Sequence, residues 1–321
     1  MEYFQGVNDR KQIPDASQLR MLQGLGKRLR RRHDALRTKQ WKGWFDPTNL
    51  VIQEKLASVS SKESLRFFNV ALAKMRPHHI DDEEFVQVLR SRCLLRMVPL
   101  GTEACLKCGG CIDDFGEHFF ICKEIGLGAA HLATQSAAIM GLQEVGKGLR
   151  LEVSPTPSLV DYMDPEASSP RPGKQTQKAE RPQADIRVRD TRNRTTVYID
   201  VRTCAMTCPK VSADVGKTVA LGEQEKVDQY ADFYNFPQGV RMVPLAIDTH
   251  GRWGKAFLVY AKPLCLRKSG GIKNDAYAVA LSRIKDRICV AHARAVGQRF
   301  IYGRQLCVEP RGDPRLATRE F

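Results

Sequence analysis

The sequence predicts an α/β protein: a mixed sheet flanked by helices, preceded by a small Cys/His knuckle and a helical N-terminal region. Three observations carry this. Residues 181–202, RPQADIRVRDTRNRTTVYIDVR, are two β-rich runs around a turn cluster. Residues 105–122, CLKCGGCIDDFGEHFFIC, gather cysteines and a histidine at metal-ligand spacing. Apolar positions recur at helical intervals before, between and after these stretches. The expected segments are 1–80, basic and helical; 81–150, a helix, the knuckle and a connecting helix; 151–265, the sheet with an insertion near 154–180; and 266–321, a basic helix and tail.

Composition narrows the partners. The chain has 321 residues, enough for roughly two compact units with a real core. Its 51 Lys and Arg exceed its 36 Asp and Glu by fifteen, so a polyanion is the first expectation, because basic groups that displace counterions from phosphate supply most sequence-independent affinity for nucleic acid. No signal peptide is visible, and no apolar run approaches the roughly 20 residues that cross a bilayer. A reducing compartment is expected for the ten cysteines, where metal binding is a more natural use than disulfides.

Taken in order, the densest charge comes first. Lys27, Arg28, Arg30, Arg31 and Arg32 form a nearly one-signed block followed by Trp41, Trp44 and Phe45, which reads as a nucleic-acid patch or a nuclear-import signal. Residues 50–76 have Leu65, Phe68, Val70, Leu72 and Met75 at helical intervals and read as scaffold without chemistry. His78 and His79 are adjacent and therefore point apart. Asp81-x-x-Glu84 is a capping box, opening an amphipathic helix marked by Phe85, Val88, Leu89 and Arg92 and ended near Pro99 and Gly101.

In the knuckle, Cys105 and Cys108 form one pair and His118 and Cys122 a second, so four ligands can converge on a tetrahedral zinc. Cys108-x-x-Cys111 would also make a pair. The first choice puts Gly109 and Gly110 after both ligands, where they supply the tight turn, and Gly116 allows a bend before His118. With all four positions filled by protein, such a site is structural.

Residues 123–148 carry Ile125, Leu132, Ile139, Leu142 and Val145 on a helix expected to pack on the sheet. A Pro/Ser-rich insertion follows. In the hairpin, alternation puts Ile186 and Val188 on one face with Val197, Ile199 and Val201. Asp185, Arg187 and Arg189 fall on the other with Tyr198, Asp200 and Arg202. If Arg192 and Asn193 form the tip, Asp185 lies across from Asp200. Like charges so opposed are destabilising, so the pair points to a cation, and magnesium or manganese suits hard oxygen ligands.

Next, GEQEKVDQYADFY places Glu223, Lys226 and Tyr230 at helical spacing and offers a lysine to the two acids. Arg202, always charged, can hold a phosphate but cannot act as a base. This order of acid, acid-x-basic and helical Lys-x-x-x-Tyr is the layout of a metal-dependent nuclease core. Tyr230-Ala231-Asp232 mimics a polymerase signature but lacks its second aspartate, Phe233 standing there. Cys204 and Cys208 lack redox spacing and read as inert thiols. Asp248 is expected to cap a glycine turn after the strand 243–247, and His131, His250 and His292 read as lone structural residues. Residues 272–300 form a long helix with Ile284, Ile288, Val290 and Phe300 inward and Arg283, Lys285, Arg287, Arg294 and Arg299 outward, a second surface expected to bind duplex.

Two stretches resemble one family. Arg181-Pro182, Asp185, Asp200 and the Lys226/Tyr230 pair resemble the restriction-endonuclease-like domain that ends site-specific non-LTR retrotransposon polyproteins, although Gln183 and Ala184 lengthen the usual proline-to-acid step. Cys108, Gly109, Asp113, Gly116, His118 and Cys122 match the zinc segment C-G-x3-D-x2-G-x-H-x3-C that precedes that domain in the family. The resemblance covers about 80–300 and implies a DNA-nicking endonuclease with structural zinc and catalytic magnesium or manganese. It also implies a nuclear setting and DNA as partner, RNA being a second candidate. It further implies Glu152 as a third acid at the metal. Lacking a polymerase, the chain would be a fragment, a degenerate copy, or a partner of a reverse transcriptase supplied by another chain. The rival expectations are a DNA- or RNA-binding module with a decayed site and a purely structural zinc protein.

Overall fold

The computed structural model describes residues 49–64, 66, 80–99, 102, 104–122, 125, 128–155, 159, 183–206 and 216–307. The chain divides between Thr48 and Asn49, and everything described belongs to the second unit. The block Lys27–Arg32, the aromatic residues after it, Leu65, Phe68 to Met75, His78, His79, Arg181, Pro182, Cys208 and the tail past 307 lie outside the described residues.

Ten named elements and one short turn order the described unit. Helix α1 (Leu50–Val59) is capped by Asn49, whose Oδ1 accepts from the Ile52 N–H at 3.1 Å. Helix α2 (Asp82–Arg92) begins at the expected capping box, with Glu84 reaching back to the Asp81 N–H. A 3-10 turn (Glu117–Phe120) leads from the knuckle to α3 (Gly128–Gly146). Strands β1 (Leu151–Pro155), β2 (Ile186–Asp190) and β3 (Thr195–Cys204) form an antiparallel meander. Helix α4 (Thr218–Ala231) then crosses over to β4 (Val240–Asp248), which runs parallel to β3. Helices α5 (Ala256–Lys268) and α6 (Asp275–Cys307) complete the unit. The sheet order is β1-β2-β3-β4, so the expected mixed sheet flanked by helices is present. Pro244 is tolerated because β4 is an edge strand and needs no ladder donor there.

One sheet face is mainly apolar, with the Asp190–Arg267 ion pair at its edge. Ile186, Val188, Val197, Ile199, Val201, Leu245 and Ile247 pack with Leu142 and Val145 of α3, Phe257 and Leu264 of α5, and Ile284 and Ile288 of α6. On α3, Leu132 is not in this core: it is exposed, and the inward face is Ala137, Ala138, Leu142 and Val145. The second face is not the solvated charged side that alternation predicts for β3. Helix α4 covers it there, burying Tyr198 against Tyr230, Tyr234 and Phe236 and Cys204 against Val219 and Ala246. Over β1 and β2 no described helix covers this face, and Arg187 and Arg189 are exposed.

Helix α6 also differs from expectation. Its inward residues are as predicted, but its basic face is largely neutralised. Arg283 and Arg287 pair with Glu144, Arg294 with Glu84 and Lys285 with Glu63, while Arg299 is buried and donates to the Phe119 carbonyl. Helices α2 and α6 meet closely at Gly297, where a Cβ would stand 2.7 Å from the Glu84 carbonyl oxygen.

Candidate metal centre and acidic cleft

The knuckle begins as a tight turn: the Gly109 N–H donates to the Cys105 carbonyl and the Cys105 N–H to the Gly110 carbonyl, both at 2.8 Å. Gly109 takes φ +69°, a conformation side chains disfavour. Gly110 is needed for space, since a Cβ there would stand 2.9 Å from the His118 ring and 3.2 Å from Cys108 Sγ. Asp113 fixes the second half, its carboxylate accepting from the N–H groups of Phe115 and His118. One turn of helix then brings Cys122 under His118.

The four ligand atoms of Cys105, Cys108, His118 and Cys122 lie within 4.8 Å of one another. Cys105 and Cys122 are 4.0 Å apart at sulfur, Cys108 and Cys122 3.6 Å, and Cys108 Sγ is 3.3 Å from His118 Nε2. A tetrahedron with metal–ligand bonds of about 2.0–2.3 Å has edges of about 3.5–3.8 Å, so the cluster can hold a metal ion such as zinc. Cys111 is exposed and outside it.

The cleft lies at the end of the hairpin. Asp185 stands one residue before β2, and the register that pairs Ile186 with Ile199 carries it to Asp200. Its N–H donates to the Ile199 carbonyl, and its Oδ2 accepts from the Val201 N–H at 2.6 Å. Helix α3 grips it twice, one turn apart: His131 Nε2 donates to Oδ1 at 2.8 Å, and Gln135 Nε2 donates to the Asp185 carbonyl at 2.7 Å. Asp200, on β3, is only 3% exposed. Its Oδ2 accepts from Lys226 Nζ at 3.1 Å and from Tyr230 Oη at 2.8 Å, both presented by α4. The cleft has a volume of about 470 Å³ and is lined by His131, Asp185, Asp200, Arg202 and Lys226, with Phe120 from the 3-10 turn after His118.

Electrostatics follow the packing. Burial holds the Asp200 carboxyl above its ordinary range, Lys226 opposing and Asp185 adding to the rise. The hydrogen bond to Asp185 raises the His131 imidazole, against the effect of burial. Burial and Asp200 push the Tyr230 hydroxyl far up, so it stays a donor. Arg202 is paired with Glu225 and donates to the Gly222 carbonyl.

Asp185, Asp200, Lys226, Tyr230 and Arg202 are thus gathered as the sequence suggests. Glu152 is not among them. It pairs in register with Arg189, four residues along β2 from Asp185 and so about 13 Å away at about 3.3 Å per residue, and its exposed carboxylate lies 3.8 Å from Arg189. Glu223 also turns elsewhere, accepting from the Lys255 and Ala256 N–H groups at the start of α5. His131 is the residue missed, read as a lone structural histidine. The spacing His131-x-x-x-Gln135 on a helix just before the first strand was the available signal. His250 and His292 are buried structural residues, and Asp248 caps its turn, accepting from the His250 and Arg252 N–H groups.

A second group of charged residues is buried beneath the knuckle. Lys55 pairs with Glu117 at 2.5 Å with both side chains at most 1% exposed. Glu117 also accepts from Thr249 Oγ1 and from the Met206 N–H just past β3. Glu54 accepts from Arg252 and the Gly216 and Thr218 N–H groups. The α1 segment is therefore an electrostatic clasp and not plain scaffold.

Fold and site together define an α/β protein with a closed Cys3His cluster beside a carboxylate cleft. No protein-family model and no curated protein sequence matches the chain. No described helix is long and apolar enough to cross a membrane.

Proposed function

We propose that the cleft is a metal-dependent DNA endonuclease site of the restriction-endonuclease-like kind, and that Cys105, Cys108, His118 and Cys122 hold a structural zinc. The observation that carries the reading is Asp185 facing Asp200 across the hairpin with Lys226 bonded to Asp200. The donor set suits magnesium or manganese: two hard carboxylates, with Asp200 Oδ1 accepting no hydrogen bond among the described residues and the cleft leaving room for waters and phosphate. Bound there, the ion supplies Lewis acidity and an activated water. The protein's own groups do the positioning. His131, Gln135 and the Val201 N–H fix Asp185; Tyr230 and Lys226 fix Asp200. The Lys226 ammonium is placed to meet charge developing on a phosphate, which acts chiefly on the transition state. Arg202 lines the cleft and can hold phosphate without exchanging protons once it gives up Glu225 for that phosphate. In the setting the resemblance implies, DNA is the substrate, RNA a second partner, and a reverse transcriptase on another chain extends the nicked end in the nucleus.

Supercoiled plasmid relaxation with magnesium or manganese tests the reading. Wild type should produce nicked circles, Asp200→Asn none, and Lys226→Ala a rate lowered by about 10²-fold or more at similar DNA affinity. Equal nicking by wild type and Asp200→Asn rejects the assignment. The place of Glu152 away from the acids favours one alternative, a binding module with a decayed site. That alternative predicts wild-type duplex binding with no nicking under either metal.

A further inference from the structure

The expected second basic surface, on α6, is mostly used up in ion pairs with Glu144, Glu84 and Glu63. Exposed arginine appears instead on the open half of the sheet. Along β2, Arg187 and Arg189 follow Asp185 on the same face, and the β2–β3 turn continues them with Arg192 and Arg194, all exposed. Arg187, Arg192 and Arg194 have no ion pair among the described residues, and Glu152 is 3.8 Å from Arg189. The row is rigid. Arg187 lies between Ser154 and Tyr198 and Arg189 between Glu152 and Thr196 in the ladder. Asp190 ties down the turn by accepting from the Arg192 and Asn193 N–H groups and from Asn193 Nδ2.

We infer that this arginine row is the track on which one backbone of a DNA duplex lies as it runs from the cleft to the hairpin tip. The inference rests on the proposed nuclease reading for the identity of the polymer. The charge complements a polyphosphate, and successive arginines on one strand face are about 6.7 Å apart, twice the roughly 3.4 Å axial step between charges on one strand of a duplex. A duplex fits better than a single strand because the row includes no aromatic platform. Tyr198, the nearest ring in the ladder, is only 3% exposed and stacks on Phe236. The track begins two residues from Asp185, so with a phosphate seated on Arg187 the second phosphate along the strand falls at the two acids.

The test is binding of a short labelled duplex to the zinc-loaded full chain with calcium in place of magnesium or manganese, followed by anisotropy over a range of KCl. Each neutralised phosphate contributes about 0.9 to the slope of log affinity against log salt, so Arg187→Gln/Arg189→Gln should lower the slope by about two, and Arg187→Lys/Arg189→Lys should restore it. Arg283→Gln/Arg287→Gln on α6 should leave the slope near wild type. An unchanged slope in the first variant overturns the inference, as does an equal loss in the α6 variant, a loss confined to single strands or RNA, or no duplex binding by wild type. Nicking is scored separately. Failure to nick with the slope behaviour intact rejects the nuclease and leaves the track standing. Normal nicking with an unchanged slope rejects the track alone.

Discussion

Removing Asp200 should destabilise the protein, even though opposed aspartates repel. Two like charges across a ladder cost about 0.2–1 kcal/mol, and on that ground alone Asp200→Ala would leave stability level or raise it. Helix α4 reverses the sign. Asp200 is the acceptor for the Tyr230 hydroxyl, and Tyr230 is 1% exposed, so alanine leaves a buried donor unsatisfied at a cost of about 1–3 kcal/mol. Lys226 retains 21% side-chain exposure and regains water, adding little. The net expectation is about 1–2 kcal/mol of destabilisation, a melting shift of about 2–8 °C for a unit of this size. Asp200→Asn keeps a carbonyl for Tyr230 and should stay within about 1 kcal/mol of wild type. Urea unfolding of the zinc-loaded chain without magnesium or manganese measures both, with equal slopes required for the comparison. An Asp200→Ala midpoint at or above wild type would refute the claim that α4 depends on this acceptor.

Three further outcomes are expected. Metal analysis should find one zinc per chain, and Cys122→Ser should abolish it and unfold the knuckle, seen as new protease cutting near 104–122, because metal binding and local folding are coupled. Lys55→Met should cost about 3–5 kcal/mol in urea unfolding by leaving Glu117 buried without its cation, and adding Glu117→Gln should recover part of that loss. His292, buried with Nε2 donating to the Asp248 carbonyl, has its imidazole pushed down from 6.5 to about 4 by burial. The unfolded chain therefore binds the extra proton first. His292 thus contributes stability that is full above pH 6.5 and falls by about 3 kcal/mol as pH drops to about 4; His250, also pushed down by burial, adds loss of the same sign, so His292→Gln should lessen the slope without abolishing it.

What could be read from the sequence was what depends on local repeat. The two-residue alternation of the hairpin fixes the register that opposes Asp185 and Asp200, and helical spacing puts Lys226 and Tyr230 on one side of α4. The knuckle ligands are legible because their spacing is itself the turn geometry. What escaped depends on partners remote in the chain. Glu54 and Lys55 look like surface residues of a helix until Arg252 and Glu117 arrive, 198 and 62 positions away. The basic side of α6 reads as free because nothing local announces Glu144 or Glu84. His131 is one of several isolated histidines, and only the packing of α3 on the hairpin distinguishes it. Glu152 failed because a place in sequence order carries no register; the ladder sets it opposite Arg189.

The Lys55–Glu117 pair bears on how this protein can be taken apart. A metal loop as short as residues 105–122 looks transplantable, yet its carboxylate beside His118 is answered by α1, by Thr249 and by the Met206 N–H. A graft would carry a desolvated anion into a host with no ammonium waiting. The remainder would keep a hydroxyl and an amide with no acceptor. A breakpoint between Cys122 and α3 keeps Lys55 with Glu117 but parts that carboxylate from Thr249 and the Met206 N–H, so loop and sheet are expected to exchange as one block.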